Sequence, residues 1–119
     1  MPSTDHVLLQ TRIPSALRLY LKAYAKHHKM NLESTCETIF SLFVQQAPWQ
    51  RGLRWRGPLS HRTDSGESQG WAQFNLFLSA ELAAQLESLA QQMSISRASI
   101  VYTGLVWFAK HISPPETPT

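Results

Sequence analysis

The chain has 119 residues, 43% hydrophobic and 16% charged, which is enough apolar material for one core and too little charge for a disordered polyelectrolyte. Its net charge is +3, its single cysteine is Cys36, and no apolar run approaches the ~20 residues that span a bilayer. These values exclude an internal disulfide and a zinc site built from cysteine pairs; they suit a reducing cytoplasm, and the start MPSTDHVLLQ shows no leader pattern.

The first expected element is a strand. Leu9, Thr11 and Ile13 share one face, and Leu8, Gln10 and Arg12 share the other. Pro14 has no N–H to give a ladder and marks the strand's end. Ser15 then opens a helix with apolar positions Leu17, Leu21, Tyr24, Ala25 and His28. Asn31 is the expected cap of a second helix, whose stripe is Cys36, Ile39, Phe40, Phe43, Val44 and Ala47, stopped by Pro48.

Residues 48–70 hold four arginines, two prolines and four glycines, and are too long for a tight connection. In WQRGLRWRG, Trp is interleaved with Arg51, Arg54 and Arg56. Either the arginines grip phosphates while the rings stack, or they stay solvated while Trp49 and Trp55 cover helix surface. The following HRTDSGESQG lacks aromatics and is expected to be flexible.

A second strand follows, with Phe74, Leu76 and Leu78 inward and Gln73, Asn75 and Phe77 outward. Ser79 is the expected cap of a third helix with stripe Leu82, Leu86, Leu89, Ala90 and Met93. Ser96 caps a fourth, with stripe Val101, Gly104, Leu105, Phe108, Ala109 and Ile112, and Pro114-Pro115 stops it. Ile100, Val106 and Trp107 lie off that stripe. Exposed, they would be an association surface; packed beneath the linker, ordinary core.

The two strand–helix–helix stretches align without a gap at a shift of 65 positions: Leu17 meets Leu82, Leu21 meets Leu86, Ala25 meets Ala90, Ser34 meets Ser99, Thr38 meets Thr103 and Phe43 meets Phe108. Neither stretch can pair its own strand or build a core alone. The economical fold is mostly α: two units in one chain, residues 7–47 and 72–112, joined by a linker 48–71 and followed by a tail 113–119. Their strands pair into a two-stranded antiparallel ribbon over four helices, a single-chain pseudo-dimer. This pattern, with the strand QFNLFL and the helix starts NLEST and SRASI, resembles the ribbon–helix–helix DNA-binding family. Two copies in one polypeptide resemble its tandem members, which include relaxosome accessory proteins of conjugative plasmids.

A two-stranded ribbon fits the major groove, where Gln and Asn bond adenine and Arg bonds guanine. The resemblance therefore implies Gln10, Arg12, Gln73 and Asn75 as base readers of double-stranded DNA. In an antiparallel pair centred on Gln10 and Asn75, Leu8 lies near Phe77 and Arg12 near Gln73. One ribbon end is then apolar, and Leu8 and Phe77 meet thymine methyls or a protein. Phosphate contacts are expected at the second-helix starts, from Asn31, Ser34, Ser96, Arg97 and Ser99, with Arg51, Arg54 and Arg56 from the linker.

The expected role is a transcriptional repressor or plasmid relaxosome accessory factor. The alternatives are a protein-interaction module or an antitoxin that keeps the fold without reading DNA. Self-association or a protein partner on DNA stays open. No catalytic set, metal spacing, cofactor, small-molecule substrate or membrane partner is expected: His27 and His28 face apart on a helix, His6, His61 and His111 are scattered, and Cys36 sits on a core stripe.

Overall fold

The computed structural model describes residues 6–58 and 70–112. Except for Gly70, the stretch expected to be flexible lies outside them, as do the tail 113–119 and its Pro114-Pro115 stop.

The described chain is mostly helical, with one two-stranded antiparallel sheet. Strand β1 (His6–Pro14) pairs with β2 (Trp71–Ser79); Gln10 lies opposite Asn75, Leu8 opposite Phe77 and Arg12 opposite Gln73. This is the expected register. Leu9, Thr11, Ile13, Phe74, Leu76 and Leu78 all point inward and are at most 4% exposed, so a slip of one residue would turn all of them to water. β2 starts at Trp71, opposite Pro14, one residue earlier than expected.

Helix α1 (Ser15–His27) follows β1 directly, and α2 (Leu32–Gln46) follows a short turn. Helices α3 (Ala80–Met93) and α4 (Arg97–Trp107) follow β2 in the same order. The last helix, expected to run unbroken to Ile112, widens into a π-helical turn over Phe108–Ile112. The two helix–helix turns are alike. Lys29 and Ser94 both adopt left-handed backbone, at φ of 56° and 57°. Met30 N–H donates to the Ala25 carbonyl at 2.8 Å and Ile95 N–H to the Ala90 carbonyl at 3.0 Å, which closes each helix end. At the start of α1, Pro14 makes no side-chain cap. Ser15 is instead tied to the returning chain, donating from Oγ to the Gly70 carbonyl at 2.7 Å.

The core lies beneath the ribbon. Leu21, Ile39, Phe40, Phe43, Leu86, Leu105 and Phe108 are essentially inaccessible. Gly104 is buried on α4 against the Phe40 ring, where a β-carbon would collide with that ring. Ile100 and Trp107 are 0% and 5% exposed, so these off-stripe residues of α4 are core. Conversely, Met93 and Ile112 are each 37% exposed, and His28 is exposed with its ring 4.2 Å from that of Tyr24.

The linker explains the burial of Trp107. After α2, Ala47 turns left-handed and Pro48–Arg51 forms a single 3-10 turn. Trp49 and Trp55 stack on one another with centroids 5.7 Å apart, and both pack on Phe43, which also meets Trp107. The tryptophans therefore cover helix surface, while Arg51, Arg54 and Arg56 are exposed. Arg56 N–H donates to Thr103 Oγ1 at 2.8 Å, and the hydroxyl donates back to the Arg56 carbonyl at 3.1 Å. That exchange fixes the linker along α4. Among the described residues, no helix is long and apolar enough to cross a membrane.

Candidate nucleic-acid interface

Alternation decides the outer face of the ribbon. Burying Leu9 and Thr11 forces Leu8 and Gln10 outward, and burying Phe74, Leu76 and Leu78 does the same for Gln73, Asn75 and Phe77. The centre of the face is the cross-strand pair Gln10 and Asn75, both exposed. Gln73 Nε2 donates to Asn75 Oδ1 at 3.0 Å, which links the two side chains on the surface.

The two ends of the face differ. At one end Leu8 and Phe77 lie opposite each other at 43% and 44% exposure. At the other, Arg12 is half-buried and lies back on the strand end, its Nη2 donating to the Trp71 carbonyl at 3.2 Å. Its Nε is buried without a partner among the described residues. Sequence alternation put Arg12 outward with Gln10; its length lets the guanidinium fold over the neighbouring strand instead.

Helix starts flank the ribbon on both sides. The first turn of α4 borders β1: Ser96, Arg97 and Ala98 share a cleft with Leu8 and Gln10, and Thr11 Oγ1 donates to the Ala98 carbonyl at 2.9 Å. The first turn of α2 borders β2, with Leu32 and Glu33 beside Asn75 and Phe77. Both starts are capped as expected. Asn31 Oδ1 accepts from Ser34 N–H at 2.7 Å, and Ser96 Oγ accepts from Ser99 N–H at 3.1 Å.

Their charges are unlike. Arg97 stands at the α4 start, 3.3 Å from Glu87. Near the α2 start, Glu33 lies 3.2 Å from His6. Glu37, one turn on, accepts from both the N–H and the hydroxyl of Ser79, at 2.9 and 2.8 Å. Tyr102 holds the corresponding place on α4 and packs on Trp71 with centroids 5.4 Å apart. Burial pushes the Tyr102 hydroxyl pKa up, with the charge of Arg56 opposing the shift. The Glu37 and Trp71 clamps were not expected from sequence. The only signal was positional, since Glu37 and Tyr102 are themselves 65 residues apart.

The linker arginines stand elsewhere. Arg51 Nη2 donates to the Gln46 carbonyl at the end of α2. That end is displaced from the turn beside the ribbon by the helix's 15 residues, about 22 Å of rise. Arg51, Arg54 and Arg56 line a single open cleft there. No family model, no curated protein and no solved structure matches this chain.

Proposed function

We propose that the chain is a sequence-specific double-stranded DNA-binding protein of the ribbon–helix–helix kind. It inserts its two-stranded ribbon into the major groove, as a repressor or a plasmid relaxosome accessory factor. The observation that carries this reading is the exposed Gln10–Asn75 pair at the ribbon centre, flanked on each side by the capped start of a helix. Amides there have the reach and the donor–acceptor pair to bond an adenine edge. The helix starts offer free N–H groups and the positive dipole end to phosphates on either rim of the groove.

In this reading the two strand–helix–helix units act as the halves of a symmetric dimer joined in one chain. The repeated left-handed turns at Lys29 and Ser94 and the repeated caps at Asn31 and Ser96 support that arrangement. The halves have diverged on their outer face. Leu8 and Phe77 would contact thymine methyls, while Gln73 and Arg12 would read polar edges once Arg12 leaves the Trp71 carbonyl. The preferred site is therefore non-palindromic. Of the arginines, Arg97 is the best placed to meet a phosphate.

Selection of bound fragments from a random duplex pool is the test, followed by titration of Gln10→Ala/Asn75→Ala. We expect the double variant to lose about 1–3 kcal/mol on the selected duplex and little on random duplex. Equal losses on both, or no duplex binding at low salt, would refute base reading and favour a protein-interaction role for the exposed Leu8–Phe77 end.

A further inference from the structure

The cleft at the far end of α2 has a composition unlike the ribbon. It encloses about 570 Å³, and its rim carries Arg51, Arg54, Arg56 and His111, with no Asp or Glu among the described residues that line it. Its floor is apolar, formed by Pro48, Leu53 and Trp107. Arg54 and Arg56 are exposed, and their side chains make no hydrogen bond or ion pair within the described residues. Three guanidiniums gathered on one short segment repel one another, and the backbone that gathers them is rigidly held by the Trp49–Trp55 stack and the Thr103 exchange.

We propose that this cleft docks an acidic peptide segment of a protein partner. Guanidiniums take carboxylates in paired hydrogen bonds, and the apolar floor takes an aliphatic side chain set between those carboxylates. A duplex fits less well: its rails are evenly charged and convex, with nothing apolar to fill the floor. The cleft lies at the opposite end of α2 from the turn that borders the ribbon, so both faces can be occupied together. The proposal does not rest on the DNA-reading role.

The test uses the full chain and a short fluorescein-labelled peptide of Glu and Asp around one central Leu, followed by anisotropy. A control peptide carries Gln and Asn at the acidic positions. The acidic peptide should bind and the control should not, and Arg54→Gln/Arg56→Gln should weaken the acidic peptide by about tenfold or more at an unchanged unfolding midpoint. Absence of peptide binding, or undiminished binding to the variant, would overturn the proposal. So would displacement of the peptide by a random duplex with the same arginine dependence, since that would make the cleft a nucleic-acid site.

Discussion

At the scale of single residues, Cys36 shows how burial turns a reactive group into packing. Its side chain is inaccessible on the core face of α2, and burial pushes the thiol pKa up from 9.0 to about 12. Between those values the folded chain keeps a proton that the unfolded chain has lost. The thiol's contribution is intact below pH 9 and is lost as pH climbs towards 12. From pH 8 to pH 10 the wild type should lose about 1 kcal/mol more stability than Cys36→Ala, as read from urea midpoints at each pH. Alkylation of native protein at pH 8 should likewise be slow and speed up only on unfolding. The thiol's inertness was readable from its stripe position. The folding-back of Arg12 was not, because a long flexible side chain is placed by whatever carbonyl lies in reach, here that of Trp71.

At the scale of elements, alternation and helical spacing carried nearly all the signal. The strand faces, the ribbon register, four helices and three caps could be read because each follows from a period or a local hydrogen bond. Errors concentrate towards helix ends: His28, Met93 and Ile112 fit their stripes but face solvent, while Trp107, left open between surface and core, is roofed by the linker. Two predictions belong here. Ser94 holds left-handed backbone that costs a side-chain-bearing residue energy, so Ser94→Gly should stabilise the fold by roughly 0.5–1 kcal/mol in thermal or urea unfolding. Gly104 lies against Phe40, so Gly104→Ala should destabilise by about 1–3 kcal/mol in the same measurement, as neither partner has room to move.

At the scale of the whole molecule, the two strands of the ribbon come from one polypeptide. An obligate two-chain particle loses stability on dilution, because unfolding releases two bodies. This chain should unfold at a midpoint independent of protein concentration, and light scattering should give the mass of one chain at low concentration. A concentration-dependent midpoint would show that strands are exchanged between chains. The strand pairing was legible, since two stretches that each carry a single half-buried strand have an obvious mutual solution. The cleft beneath the linker was not legible. The sequence left the tryptophans and arginines of WQRGLRWRG with two roles each, and only the stacking on Phe43 separates the rings from the charges.

A ribbon closed within one chain, with unlike ends, also differs from a two-chain ribbon in how it can be oriented. Two interchangeable chains would seat on a duplex equally well in either orientation, and anything they carried would point both ways. A covalently joined ribbon with one apolar tip and one polar tip has no second equivalent pose. It gives the molecule a heading. In the proposed DNA-reading role the apolar tip would face one flank of the site and the polar tip the other, in the order the DNA sequence dictates.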